Sequence, residues 1–208
     1  RLNQILLTHG HLDHILGLGG LVSTFLRWEV MEEIEIYGTQ HTLDRVHDLL
    51  FGVVLRGQQG NSPVKLREIK PGNFYETEKF TITAFPVDHR GSSSLGYRFE
   101  ERSRRPFLPE KAEEYQIPPG PWRRDLVNGL TVTLPDGRKI EPDHVLGESR
   151  QGTSLVVVGD TGNPDKLLPY VKDTDALVIE ATYIQQEEDL ARRFDHLTAA
   201  QAASLAKK

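Results

Sequence analysis

The sequence predicts an α/β fold, and three observations carry that expectation. Short apolar runs of strand length recur along the chain. Stretches with apolar residues three and four apart, the spacing of a helix face, lie between several of them. The strongest runs end in polar turns rich in Gly, Asp or His, as in layered sheets whose loops carry chemistry. The 208 residues, 38% hydrophobic and 26% charged, are enough for one sizeable buried core. That composition excludes collagen-like, coiled-coil and wholly disordered chains.

Taken in order, Gln4 to Thr8 is the first strand, an apolar run that ends at a His-rich turn. From His14 to Trp28, residues Ile15, Leu18, Val22, Phe25 and Leu26 mark a helix face, loosened by Gly17, Gly19 and Gly20. Ile34 to Tyr37 alternates as a half-buried strand, and Thr39 to Phe51 reads as a helix turning Leu43, Val46, Leu49 and Leu50 inward. Val64 to Ile69 and Lys79 to Val87 read as strands separated by a Pro71-Gly72-Asn73 turn. Leu95 to Glu100, Ser154 to Val158 and Ala176 to Glu180 complete the strand pattern, and Leu197 to Ala206 reads as an alanine-rich helix. The stretch from Glu101 to about Arg150 differs, with Pro106, Pro109, Pro118, Pro119, Pro121, Pro135 and Pro142. Its one strong strand signal is Leu130 to Leu134, before an Asp136-Gly137 turn. It reads as an insertion projecting from a single domain spanning residues 1–208.

The chain starts Arg1-Leu2-Asn3 without a signal peptide, has Met31 as its only methionine, and ends in helical sequence at Lys208. It therefore reads as a fragment of a longer protein, truncated at both ends. Without cysteine it has no disulfide, no thiolate nucleophile and no Cys-ligated zinc. No apolar run approaches the ~20 residues of a membrane span, so a soluble, cytoplasmic protein without a membrane partner is expected. A net charge of −5 requires any nucleic-acid contact to come from a local patch.

The most informative segment is Thr8-His9-Gly10-His11-Leu12-Asp13-His14, with three histidines and an aspartate in six positions after a strand. Imidazole and carboxylate are ligand types that zinc accepts, and a turn at a strand end directs such side chains toward one point. His9 and His11 fit one metal, while Asp13 and His14 face a second. His89, after the strand ending at Val87, and Asp160, after the run ending at Val158, are further candidate ligands, with Asp160 as a bridge between the metals. His41, His47 and His144 read as surface residues.

The His-x-His-x-Asp-His run after a core strand resembles the hallmark of the metallo-β-lactamase fold, an αββα sandwich. Further motifs resemble the ribonuclease Z family within it. Asp88-His89 followed by Leu95-Gly96-Tyr97-Arg98 is similar to that family's third ligand region, and Ile117-Pro118-Pro119-Gly120-Pro121 to the glycine-proline motif of its tRNA-gripping flexible arm. Val145-Leu146-Gly147, Gly159-Asp160-Thr161, Glu180-Ala181-Thr182 and His196-Leu197-Thr198 follow in the family's order. Ile179 stands where the family often has histidine, and the family's last ligand histidine would lie past Lys208.

The resemblance implies an endoribonuclease that removes the 3′ trailer from precursor tRNA, with two Zn2+ per subunit and a homodimeric assembly. It implies His9, His11 and His89 on one zinc, Asp13 and His14 on the other, and Asp160 shared, with Asp13 also catalytic. Glu180 and His196 would form the pair that protonates the leaving 3′ oxygen. Around the arm, Arg102, Arg104 and Arg105, then Gly120, Pro121, Arg123 and Arg124 beside Trp122, would meet RNA. Another hydrolase on this fold (a phosphodiesterase, arylsulfatase, glyoxalase-like thioesterase or lactamase) and a noncatalytic tRNA-binding subunit are the alternative readings.

Overall fold

The computed structural model describes residues 3–27, 33–56 and 63–208. It divides into two compact units, one of Arg1–Glu100 with Ser154–Lys208 and the other of Glu101–Thr153. In chain order the strands are β1 (Gln4–Leu6), β2 (Ile34–Gly38), β3 (Val64–Glu68), β4 (Gly72–Glu76), β5 (Phe80–Val87), β6 (Ser94–Glu101), β7 (Val132–Thr133), β8 (Lys139–Ile140), β9 (Ser154–Val157) and β10 (Ala176–Val178). The helices are α1 (Leu12–Ile15), α2 (Gly17–Arg27), α3 (Gln40–Leu49), α4 (Pro109–Glu114), α5 (Pro121–Val127), α6 (Leu168–Val171), α7 (Glu188–Phe194) and α8 (Ala199–Ala206).

The larger unit holds two sheets. One is the parallel set β1-β2-β3 and the other runs β10-β9-β6-β5-β4. Period-two alternation assigns the faces. In β2, Ile34 and Ile36 are buried with Val22 of α2 and with Leu43 and Val46 of α3. Tyr37, on the opposite face, packs with Leu6 against Ile82, Ala84, Leu95 and Tyr97 of the second sheet. The far face of that sheet buries Phe85, Val87, Val156 and Val158 against Val171 of α6 and Leu205 of α8. The layers are therefore helix, sheet, sheet, helix, the αββα arrangement expected from the sequence.

Several boundaries depart from the sequence reading. Pro71-Gly72-Asn73 is not the hairpin turn, because β4 begins at Gly72 and the chain turns at Thr77, whose hydroxyl accepts the N–H groups of Lys79 and Phe80. Pro71-Gly72 instead moves the chain from the first sheet to the second, where Phe74 and Tyr75 cover apolar residues between the sheets. The expected His14–Trp28 helix is two pieces, α1 and α2, and Trp28 lies outside the described residues. Helix α3 starts at the Thr39 cap and widens into a π turn over Leu50–Val54. Helix α7 went unread because seven residues are too few to display a helical period. Among the described residues, no helix is long and apolar enough to cross a membrane.

Residues Glu101–Thr153 have a hydrophobic core of their own. Ala112, Ile117, Leu126, Val132, Leu134, Ile140, Val145 and Leu146 are buried there, and Phe107, Tyr115 and Trp122 pack against them. The strand expected over Leu130 to Leu134 narrows to β7, which pairs with β8 across the Asp136-Gly137 turn. Helices α4 and α5, which escaped the sequence reading, are six and seven residues long and each begins with proline.

In the larger unit, the Tyr97 hydroxyl donates to the Leu7 carbonyl at 2.5 Å, joining the second sheet to the strand end that leads into the histidine turn. Burial raises the Tyr97 pKa, so this proton stays in place through the neutral range. Replacing Tyr97 with Phe leaves the carbonyl without this donor. The expected loss is about 1–2 kcal/mol of unfolding free energy in urea denaturation.

Candidate metal centre

Each element of the centre sits at the end of a strand. Two residues past β1 the chain reaches Thr8, whose carbonyl accepts the Leu95 N–H at 2.8 Å, and then His9. His89 follows β5, Asp160 follows β9 and Glu180 follows β10. The loops after β1 and β9 approach so closely that a Cβ on Gly159 would stand 2.9 Å from the Thr8 hydroxyl, which is why glycine precedes Asp160.

These loops bring three histidines to one carboxylate and a fourth against two of those rings. Oδ2 of Asp160 lies 3.1 Å from His14 Nε2, 3.7 Å from His89 Nε2 and 3.8 Å from His9 Nε2. His11 Nδ1 lies 3.0 Å from His9 Nε2 and 3.3 Å from His89 Nε2. The donor atoms fall into three groups, each within 4.8 Å: His9, His11 and His89; His9, His14 and Asp160; and His89, Asp160 and His196. His9 and His89 are 1% and 2% exposed. Asp13 sits at the rim, in the first turn of α1, with its side chain 80% exposed and Oδ2 3.6 Å from His14 Nε2.

The protonation of the centre suits a cation. Burial, then the neighbouring His14, His11 and His89, lowers the His9 pKa from 6.5 to about 3. Burial and His89 also lower that of His11. Both rings are therefore neutral at pH 7 and keep a nitrogen lone pair. His89 Nδ1 lies 2.8 Å from the Asp195 carbonyl, to which it can only donate, so the lone pair of this ring is on Nε2, facing the cluster. Neutral imidazoles and a carboxylate are the nitrogen and oxygen donors that zinc prefers when thiolates are absent, and this set fits it.

Beside the cluster stands a carboxylate–imidazole pair. His196 Nδ1 is 2.9 Å from Glu180 Oε1, and Glu180 is 8% exposed. The same oxygen accepts the Thr161 N–H at 2.8 Å. Oε2 accepts both the N–H of Thr182, at 3.2 Å, and its hydroxyl, at 2.6 Å. Four donors thus orient Glu180. The proton shared with His196 is on Nδ1, leaving Nε2 as the nitrogen for other chemistry. The expected Glu180–His196 pairing is present, and the Thr161 and Thr182 contacts are additions that the sequence reading missed. Threonines next to Asp160 and two places after Glu180 were the available signal.

The seven residues expected to meet RNA fare differently. Within the smaller unit, Arg105 donates through Nε to the Gly147 carbonyl at 2.8 Å and through Nη2 to that of Leu146 at 3.0 Å, and it pairs with Asp143. Arg123 donates twice to the Ile117 carbonyl, at 3.0 and 2.6 Å, and lies over the Phe107 ring. Trp122, half-buried against the core, is not a free stacking platform. Arg102, Arg104, Gly120, Pro121 and Arg124 are exposed. Arg104 and Arg150 line a groove of about 790 Å³ within this unit, with Phe107 and Asn128. Of the histidines read as surface residues, His47 faces Asp48, and His144 stacks on Tyr115.

The depressed His9 pKa gives the metal-free protein a pH dependence. The unfolded chain binds a proton at this residue below about pH 6.5, whereas the folded chain does so only near pH 3, so stability falls as pH drops through that window. The expected slope from His9 is about 1 kcal/mol per pH unit between pH 6 and 4. Urea unfolding of chelator-treated protein should show it, and His9→Gln should flatten it relative to the wild type.

A family model described as the β-lactamase superfamily domain matches residues 1–109. The ribonuclease Z of Bradyrhizobium sp. (strain ORS 278) is 43% identical over 206 residues, covering 99% of this chain and 68% of that protein. The ribonuclease Z of Bacillus subtilis (strain 168) is 34% identical, covering 100% and 67%. Among solved structures, human tRNase Z, short form, aligns with a TM-score of 0.59 at 20% identity, covering 100% of this chain and 68% of that one. A diphosphatase of the PhnP family aligns with a TM-score of 0.57 at 16% identity, covering 99% and 55%. These two likenesses speak to the fold, and the sequence relatives speak to the family. By sequence and by architecture, the chain belongs to the ribonuclease Z family of endoribonucleases in the β-lactamase superfamily.

Proposed function

We propose that this chain forms the core of a zinc-dependent endoribonuclease that removes the 3′ trailer of precursor tRNA, leaving a 3′-hydroxyl on the tRNA. The observation that carries this reading is the oriented Glu180–His196 pair beside a nitrogen and oxygen donor cluster. His9, His11 and His89 would hold one zinc, and Asp13 and His14 a second, with Asp160 shared. When bound, such a pair of ions lowers the pKa of a water and offsets charge on a phosphoryl oxygen.

The chain's own residues account for the other half of the reaction. The 3′ oxygen of the tRNA body leaves with developing negative charge and needs a proton. His196 supplies it from Nε2 as an imidazolium, while Nδ1 stays bonded to Glu180. The carboxylate keeps the ring aligned before and after the transfer. Thr161 and Thr182 prevent Glu180 from rotating away. Asp160, one residue before Thr161, ties the donor pair to the cluster through the backbone.

RNA grip is assigned to Arg102, Arg104 and Arg124 with the exposed Gly120 and Pro121. Arg105 and Arg123, though read as RNA contacts from sequence, hold their own unit together and serve RNA indirectly. A homodimer in the cytoplasm belongs to the same reading.

Incubating the zinc-loaded protein with precursor tRNA carrying a labelled 3′ trailer should give a single cut after the discriminator base. Cleavage of a small phosphodiester without any RNA cut would move the assignment to another phosphodiesterase of this fold. His196→Ala should lower turnover by about 10²–10⁴-fold with metal content unchanged, whereas parallel loss of zinc would make His196 a ligand. Arg104→Ala should weaken precursor tRNA binding and reduce its salt dependence, leaving small-substrate hydrolysis intact, as expected of a phosphate contact.

A further inference from the structure

Asp195, which none of the motifs includes, lies where three segments of the centre meet. It follows α7 with φ +53° and ψ +52°, a left-handed conformation that costs most non-glycine residues about 1–2 kcal/mol and that Asp and Asn tolerate best. This reversal ends α7 and sends the chain directly into His196, whose N–H returns to the Ala191 carbonyl at 2.9 Å. The Asp195 carbonyl accepts from His89 Nδ1 at 2.8 Å, across 106 residues of sequence. Its carboxylate accepts the Arg90 N–H at 2.9 Å, holding the turn after His89, where Arg90 and Gly91 also have positive φ, at +46° and +68°.

The third segment is that of Asp160. Gly162 packs directly on Asp195, and a Cβ at Gly162 would stand 2.8–2.9 Å from its Cα, Cβ and Oδ1. The Gly162 N–H also donates to the Asp88 carbonyl at 2.9 Å, beside His89. Two strained non-glycine residues bonded to each other, at a site where only glycine leaves room, form a device for holding geometry. Substituting such supports of a ligand commonly costs about 10–100-fold in metal affinity or activity.

We propose that Asp195 is a positioning residue that sets His89 and His196 together. Its carbonyl keeps His89 in the Nδ1–H tautomer with Nε2 toward the donor cluster, its carboxylate locks the turn that carries His89, and its left-handed backbone delivers His196 to Glu180. The inference rests on the metal-centre reading above, but not on the identity of the RNA.

The test compares Asp195→Ala, which loses the carboxylate and disfavours the left-handed backbone, with Asp195→Asn, which keeps an oxygen acceptor and tolerates that backbone. In ¹⁵N NMR of the metal-free protein, with His89 assigned from a His89→Gln spectrum, the wild type and Asp195→Asn should show one Nδ1–H tautomer. Asp195→Ala should show a mixture. Zinc affinity, measured by competition with a chromophoric chelator, should fall by about 10–100-fold in Asp195→Ala and return to within about threefold in Asp195→Asn. If Asp195→Ala does not fold, Asp195→Gly takes its place, because it keeps the backbone conformation and loses only the carboxylate. It should then weaken zinc with the fold intact. An unchanged His89 tautomer together with unchanged zinc affinity, in whichever of the two variants folds, would overturn the proposal. Because neither readout involves RNA, a wild type that fails to cut precursor tRNA would count against the proposed function and leave this inference standing.

Discussion

Three imidazole rings crowded around one carboxylate oxygen, with a fourth against two of them, form the interaction on which the rest of this structure depends. Asp160 Oδ2 has the Nε2 atoms of His9, His14 and His89 within 3.8 Å, and two of those rings are almost wholly buried. Such a cluster cannot all be protonated in a poorly solvated place, because neighbouring imidazolium charges repel and burial penalises each one. The depressed pKa of His9 expresses that conflict. A site crowded with neutral lone pairs and one anion is complementary to a cation. The sandwich beneath it supplies the rigidity, with four strand ends opening toward the same point and Tyr97 tying the second sheet to the histidine turn.

A few ångströms away the electrostatic logic reverses. Glu180 lies against His196 rather than among repelling imidazoles, and its other contacts are N–H and O–H donors. There the ring faces a carboxylate instead of other rings. Histidines in one small volume thus meet opposite surroundings, other imidazoles in one place and a hydrogen-bonded carboxylate in the other. Separating environments is the general means by which one residue type can be given different roles at a single pH. His196 also has a ring nitrogen within 4.8 Å of donor atoms of His89 and Asp160, so the two environments share a border. Asp195 spans that border, holding His89 by its carbonyl and continuing directly into His196.

The smaller unit shows how little a count of arginines says about a nucleic-acid surface. Its basic residues looked equivalent in sequence, yet two of them spend their guanidinium groups on backbone carbonyls that would otherwise be short of donors. With a proline-rich chain and helices of six and seven residues, this unit has few regular hydrogen bonds to hold its shape. Arg105 and Arg123 supply the missing ones, since a planar five-donor group can bridge irregular segments that a lysine could not.

Much of the fold was legible in the residues because local rules decide it. Period-two alternation identified β2, an apolar run of strand length identified β5, and Thr39 marks the cap of α3. The β4 strand and the true position of its hairpin turn were not legible, since Pro71-Gly72 acts there as a switch between sheets and only the packing of Phe74 and Tyr75 reveals it. Candidate ligand types and their places after strands were determined by sequence alone: His9, His11, Asp13, His14, His89 and Asp160 could all be named as candidates from spacing, position and side-chain chemistry. Tertiary structure decided what distance and orientation decide. It placed Asp13 at the rim, made Asp160 Oδ2 the common focus, gave Thr161 and Thr182 to Glu180, and turned Arg105 and Arg123 inward. The division has one physical cause. Propensity and periodicity act over a few residues, whereas a shared acceptor or a ring's tautomer depends on atoms brought together from 146 or 106 positions away.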